Sequence, residues 1–281
     1  MARLAENSYG KCAINLTKVT RTGTRHSLTE LAVEVALGGR FERLYTEGDN
    51  SLCVPTDTMK NTTYALARMH EFDSPEAFGT LLAGHFVESF THVSWSEVRI
   101  RQAPWSRIEI SGRPHEHAFT MGGTEERTAK VRHERAAGIH IHGGIAGLEV
   151  IKSSGSSFTG FLKDRYTTLA EASERIFATS IDAEWEFAQE AQDFNDAYER
   201  ARGTILEVFA THESKSVQQT IFAMGEALLG RIDSITSVDI AMPNQHRILV
   251  NLSPFGMTNP NQVFVPTAEP YGLIKGRIVR S

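Results

Sequence analysis

The amino-acid sequence predicts an α+β protein of two tandem modules, each an antiparallel sheet with helices on one face. Three observations carry that prediction. Runs of period two alternate apolar and polar residues, stretches of helical period follow them, and the same order of elements returns in the second half of the chain. The modules are expected at residues 1–140 and 141–281.

In the run Cys12–Arg21, Ile14 and Leu16 alternate with Ala13, Asn15 and Thr17, which predicts a strand. A polar turn, RTGTRH, leads to Leu31, Val33, Val35 and Leu37, alternating with Ala32, Glu34 and Ala36. The two runs are expected to pair antiparallel. Residues 57–70 fit a helix. A second helix is expected from Ser74-Pro75-Glu76, because serine caps free N–H groups and proline suits a first turn. Phe78, Leu81, Leu82, Phe86 and Phe90 form its apolar stripe. Val93–Gln102 alternates again, and a further strand is expected near His115–Thr120.

The second half follows the same grammar. Strands are expected near Leu148–Ser153 and Ala183–Phe187. One helix carries Phe194, Tyr198, Ala201, Ile205 and Phe209, and the next carries Val217, Ile221, Met224 and Leu228. Two strands, SITSVDIAM and HRILVNL, come last, with Pro243 expected to end the first. Residue identity between the halves is weak, so the repeat is one of element order. Sheets covered on one face leave the other needing a partner, and closure into a barrel by oligomerisation would supply it.

The chain has 281 residues, 41% hydrophobic and 22% charged, with a net charge of −5. That is enough to bury a large core without disulfides or metals. The acidic balance gives no electrostatic reason to expect nucleic acid or an anionic membrane as partner. No window approaches about 18 apolar residues, so no membrane-spanning helix is expected. No secretory h-region is visible in MARLAENSYGK, and the expected compartment is cytoplasmic. The two cysteines, Cys12 and Cys53, are expected as buried thiols rather than a disulfide.

Five stretches carry candidate chemistry, besides two histidine pairs. VPTDTMKNT places Thr56 and Asp57 at a strand-to-helix junction. In VIKSSGSSFTGF, small residues surround Phe158, whose ring face could meet a planar ligand; a loop aromatic filling a gap is the plain alternative. Arg175, between Ala172 and Phe177, could offer its planar fork to an anionic edge, or be a solvated helix arginine. Gln218 follows the potential cap Ser216, and its amide could pair with a lactam edge or simply face water. Asn244 and His246, two apart in MPNQH, would leave the same strand face at a strand end. The pairs His115/His117 and His140/His142 are compatible with a metal site but lack a third ligand. No dinucleotide fingerprint, Walker loop or serine elbow is present.

Taken in order, YGK at Tyr9–Lys11, TDTMKNT at Thr56–Thr62, KSSGSSFTGF at Lys152–Phe161, DRYTTL from Asp164, ERI at Glu174–Ile176, SVQQT at Ser216–Thr220, MPNQH at Met242–His246, NPNQVF and PYGLI resemble urate oxidase (uricase), a cofactor-independent enzyme family. The resemblance runs almost end to end. It implies the tunnelling fold (T-fold) and a homotetramer with active sites at subunit interfaces. It implies urate, dioxygen and water as substrates, 5-hydroxyisourate and hydrogen peroxide as products, and no cofactor or metal. It further implies Lys11, Thr56 and His246 as a proton relay. Thr56, Asp57, Phe158, Arg175, Val217, Gln218 and Asn244 would bind the substrate, with Lys11, Thr56 and Asp57 donated by a neighbouring subunit. Arg247 departs from the pattern, standing where members often carry an aromatic residue. The peroxisomal tail of eukaryotic members is absent, which favours a bacterial-type cytoplasmic enzyme. The rivals are a metal-dependent purine or pterin hydrolase using the histidine pairs, and a purine-binding barrel without catalysis.

Overall fold

Strand β1 (Tyr9–Thr22) and strand β2 (Arg25–Gly39) pair antiparallel, as their alternation predicts, through the turn at Gly23. The short helix α1 (Glu42–Thr46) precedes α2 (Thr56–Met69) and α3 (Pro75–Ser89). Then come β3 (Val93–Gln102), β4 (Trp105–Ile110), β5 (Arg113–Met121), β6 (Glu126–Glu134) and β7 (Gly138–Lys152). The remaining elements are β8 (Phe177–Phe187), α4 (Phe194–Thr211), α5 (Val217–Arg231), β9 (Ile235–Leu249) and β10 (Phe264–Val279). This is a computed structural model, and it describes residues 2–188 and 193–280. The chain divides into one unit of Met1–Gly144 with Trp185–Tyr198, and a second of Ile145–Glu184 with Glu199–Ser281.

In the first unit the strand order is β1-β2-β3-β6, followed by the start of β7. Register decides which side chains are buried. Val33 opposes Ile100, Val35 opposes Val98, and these oppose Ala129 and Val131 in turn. All six are buried beneath Phe78, Leu82 and Phe86 of α3. The alternate positions Glu34, Arg99 and Lys130 line up on the opposite face. Period-two patterning thus yields one dry face and one charged face.

Local chemistry bounds the helices. Ser74 Oγ accepts the Ala77 N–H at 3.3 Å, as its position before Pro75 predicts. At the other end of α3, Arg135 donates to the carbonyls of Val87, Phe90 (3.0 Å) and Val93 (3.2 Å). Lys18 closes α2 by donating to the His70 carbonyl at 2.6 Å. Gly79 of α3 lies against Val131, where an added Cβ would come within 2.8 Å of Cγ2. Gly225 of α5 does the same against Ile278 Cγ1, at 2.6 Å. In both units a bare backbone lets a helix settle onto its sheet.

In the second unit the order is β7-β8-β9-β10, with α5 packed on β9 and β10. Three expectations are corrected. Pro243 does not end a strand: β9 runs through it, and Pro243 opposes Leu273. Its fixed φ suits extended backbone, and the ladder lacks only the N–H that proline cannot supply. Arg175 lies in the connection entering β8, outside any helix. Both cysteines are free, but Cys12 is exposed and Cys53 only partly covered, so neither is a buried thiol. The strand near His115–Thr120 exists as β5, but its hairpin partner β4 was not expected. The turn joining them, Ser111-Gly112, has φ of 53° and 73°, the positive values of a tight hairpin. No helix among the described residues is long and apolar enough to cross a membrane.

The first unit also buries an ion pair. Glu76, fully buried, accepts from Arg127 Nη2 at 2.7 Å, and Arg127 also donates to Asn195 Oδ1 at 2.6 Å and the Phe194 carbonyl at 3.1 Å. The guanidinium stacks 4.6 Å from the Tyr198 ring centroid. Burial pushes the Glu76 carboxyl up, against the opposing pull of Arg127. Removing the cation would strand that carboxylate. Arg127→Met is expected to lower the unfolding free energy by roughly 3–5 kcal/mol, with Glu76→Leu/Arg127→Met recovering most of the loss, read by urea denaturation at fixed protein concentration.

Candidate active site

The first unit places Lys11, Thr56 and Asp57 together. Tyr9 supplies the anchor. Its hydroxyl accepts the Val54 N–H at 2.8 Å and donates to the Val54 carbonyl at 3.1 Å, while its ring meets buried Phe41 edge-on at 5.0 Å. The chain is therefore held just before α2 begins at Thr56. No side chain caps this helix behind Pro55, so the N–H groups of its first turn carry the positive end of the helix dipole outward. The Asp57 carboxylate is engaged elsewhere, with Lys60 and with Asn61 Nδ2 at 2.9 Å. The Lys60 ammonium holds Asp57 below the usual carboxylate range, and the Lys11 cation adds to the pull. Lys11 and the start of α2 are thus electrostatic neighbours.

The second unit places Phe158 beside Arg175. The Arg175 N–H donates to the Ser156 carbonyl at 2.8 Å, and Nε donates to Ser156 Oγ at 3.2 Å. Phe158 exchanges backbone hydrogen bonds with Ala172 at 2.7 and 3.0 Å and stacks on Phe161 at 4.9 Å. The guanidinium carbon lies 5.4 Å from the Phe158 ring centroid. Neighbouring Glu174 does not neutralise it, because that carboxylate accepts the Gly155 N–H at 2.9 Å. Arg175 is half-buried, burial depresses its pKa, and no carboxylate among the described residues lies within ion-pair range of it. A cation partly stripped of water and lacking a counter-ion is a receptor for an anion.

The start of α5 separates two adjacent glutamines by task. Ser216 Oγ accepts the Gln219 N–H at 3.1 Å, and Gln219 Oε1 accepts the Lys215 N–H at 2.9 Å, a capping box shifted by one residue. Gln219 is occupied by the cap, while Gln218 is exposed beside buried Val217. This helix start is tied to the loop bearing Phe158. The Ser214 N–H donates to the Gly155 carbonyl at 3.0 Å, and the Ser157 N–H donates to the Ser214 carbonyl at 2.8 Å. Thr220 Oγ1 donates to Ser214 Oγ at 2.8 Å, and both side chains are fully buried. Sequence reasoning missed Ser214 and Thr220, because nothing local in HESKSVQQT marks a partner far upstream.

Asn244 and His246 stand on β9, opposite Gly272 and Thr267. Between those partners β10 carries residues 268–271 as a wide bulge facing the single residue Gln245. The expected strand-end position is replaced by a position inside a strand beside an interrupted ladder. Asn244 is half-buried and His246 exposed. Arg247 folds back, donating to the carbonyls of Gln245 (3.4 Å) and His246 (3.1 Å).

The histidine pairs have other surroundings. His115 and His117 stack edge-on at 4.7 Å, with His26 5.7 Å from His117. His140 Nδ1 lies 3.7 Å from Glu186 Oε1. No group of three His, Cys, Asp or Glu side chains among the described residues is arranged to hold a metal ion.

Comparison with known proteins agrees across the whole chain. A family model described as Uricase matches residues 7–132 and 141–275. A uricase from Arthrobacter globiformis is 42% identical over 99% of this chain and 90% of its own length. One from Schizosaccharomyces pombe is 36% identical over 97% of this chain and 96% of its own length. The crystal structure of the Arthrobacter globiformis uricase superposes with a TM-score of 0.95 at 41% identity, covering 100% of this chain and 96% of that one.

The Ser214–Thr220 hydroxyl pair gives a direct test of the tie between loop and helix. Thr220→Val keeps the shape and removes the donor. It is expected to lower stability by roughly 1–3 kcal/mol, with Thr220→Ser restoring it, measured by urea unfolding.

Proposed function

The chain belongs to the uricase family, and from that premise we propose how its residues carry the reaction. It is a urate oxidase, an oxidoreductase. The reaction we assign joins urate, dioxygen and water to give 5-hydroxyisourate and hydrogen peroxide. Urate gives up two electrons, dioxygen receives them with two protons, and the hydroxyl of the product comes from water. Triplet dioxygen reacts slowly with closed-shell molecules, which is why oxidases commonly enlist a metal or flavin. Deprotonated urate is itself a good reductant, so the protein's task is to bind the anion, strip its proton and place the oxidant.

The observation that supports this most directly is Arg175, a half-buried cation with no carboxylate partner among the described residues, held beside the Phe158 ring. A flat anion stacked on Phe158 would meet the Arg175 fork along one edge, and the free Gln218 amide would take the opposite edge as donor and acceptor. The open N–H groups at the starts of α2 and α5, near Asp57 and Val217, favour the same negative charge. Asn244 and Thr56 would hold dioxygen or water above the ring. Lys11 lowers the cost of drawing a proton through the Thr56 hydroxyl, and His246 passes it on.

Lys11, Thr56 and Asp57 belong to the first unit and the other candidates to the second. We assign each site to two neighbouring copies in a homotetramer of T-fold modules, with sheets closed into a barrel through the outer strands β1 and β10. The cytoplasm is the proposed compartment.

Loss of urate absorbance should continue in chelator-treated protein under oxygen and stop under argon. Loss of turnover on chelation would overturn the cofactor-independent reading. Lys11→Ala and His246→Ala are expected to lower kcat roughly 10²- to 10⁴-fold, with urate affinity under argon little changed. Arg175→Ala should instead weaken that affinity roughly 10- to 100-fold, the range for a hydrogen bond to a charged group. At urate well below saturation of the Arg175→Ala parent, mixed tetramers of Lys11→Ala and Arg175→Ala subunits should turn over faster than either parent.

A further inference from the structure

Strand β1 changes phase within a single step. Tyr9 and Lys11 oppose Leu37 and Val35, while Ile14 and Leu16 oppose Val33 and Leu31. Those four residues of β2 are all buried on one face, so their partners point to that face as well. Yet Tyr9 and Lys11 are odd-numbered and Ile14 and Leu16 even-numbered. A regular strand of period two cannot send both pairs the same way.

The break is a one-residue bulge. From Lys11 to Ile14 β1 takes three steps, while β2 takes two from Val35 to Val33. Ala13 closes the bulge with φ of +54°, in the left-handed region that a side chain with Cβ seldom occupies. Burial follows the same phase change: Lys11 is half-buried, Cys12 and Ala13 are exposed, and Ile14 is buried. The segments on either side cannot slide to absorb the extra residue. Ile14 is fixed in the core, and Tyr9 is fixed to Val54. A Cβ on Gly10 would come 2.0 Å from the Val35 carbonyl oxygen, so Gly10 already lies tight against β2. Had β1 kept the phase of Ile14 and Leu16, Lys11 would face away from α2. The bulge turns it to the side where α2 begins, and there its charge is felt by Asp57.

We infer that Ala13 is a positioning residue for this reaction, its left-handed bulge being what aims Lys11 at Thr56. The inference rests on the assignment of Lys11 to the proton relay, and its test separates the two. Ala13→Pro keeps the extra residue but fixes φ near about −65°, so the left-handed bulge cannot form; it should lower kcat to the level of Lys11→Ala, roughly 10²- to 10⁴-fold, with urate affinity under argon within about threefold of the parent. Ala13→Gly, which occupies the left-handed region without strain, should keep full turnover. In a Lys11→Ala background Ala13→Pro should bring no further loss. Full turnover in Ala13→Pro, or an equal further loss in the Lys11→Ala background, would overturn the inference. If Ala13→Pro fails to fold, Ala13→Val carries the test, since a β-branched residue resists this conformation: kcat should fall with affinity held, and unchanged kcat would overturn the inference. Undiminished turnover in Lys11→Ala itself would instead remove Lys11 from the relay.

Discussion

Strands β2, β3 and β6 each have one face beneath helices and one face of charges, and that constraint governs much else. In the first unit it aligns Val33, Val35, Val98, Ile100, Ala129 and Val131 under α3, and sends Glu34, Arg99 and Lys130 the other way. Regular alternation leaves few polar groups on the helix side, the small hydroxyl of Ser96 among them. The candidate functional residues therefore gather where regularity lapses. Lys11 adjoins the bulge of β1, Thr56 and Val217 open helices, and Asn244 and His246 flank the residue faced by the bulge of β10. Phe158 and Arg175 lie in connections held by Ser156 and Ala172.

What could be read from the sequence was what is encoded locally. The pairing of β1 with β2, the serine cap of α3 and the cap at Ser216 depend on residues within a turn or two of each other, and each is found as expected. The order of motifs, from Tyr9-Gly10-Lys11 to Met242-Pro243-Asn244-Gln245-His246, pointed to the family that the comparisons show. Strand β6, whose residues read as charged, is buried on one face only by its neighbours, and β4 and β10 likewise gave no strong alternation. Pro243 was misjudged because a missing N–H looks like a strand end until the partner strand is known. Ser214 and Thr220 matter through a contact with a loop about sixty residues away, which no window of sequence reveals.

The two electrostatic features of the chain contrast in how their charge is balanced. Arg127 meets Glu76, Asn195, the Phe194 carbonyl and Tyr198, and every donor direction described for it ends on protein. Among the described residues Arg175 has one side-chain hydrogen bond, to a serine hydroxyl, and two aromatic rings within 6 Å. The first is a structural clasp whose cation is answered within the fold. The second is a charge left open by its described neighbours, which is the contrast on which its proposed role in binding an anion rests.

Four of the glycines inside the helices sort by the same logic. Gly79 and Gly225 set how near α3 and α5 approach their sheets, and any side chain there would push the layers apart. Gly203 of α4 and Gly230 of α5 have nothing within 4 Å of where a Cβ would sit. There the missing methyl only loosens the helix, by about 1 kcal/mol relative to alanine. Hardening this protein against heat is therefore open at one pair of positions and closed at the other, although all four look alike in a list of helix breakers.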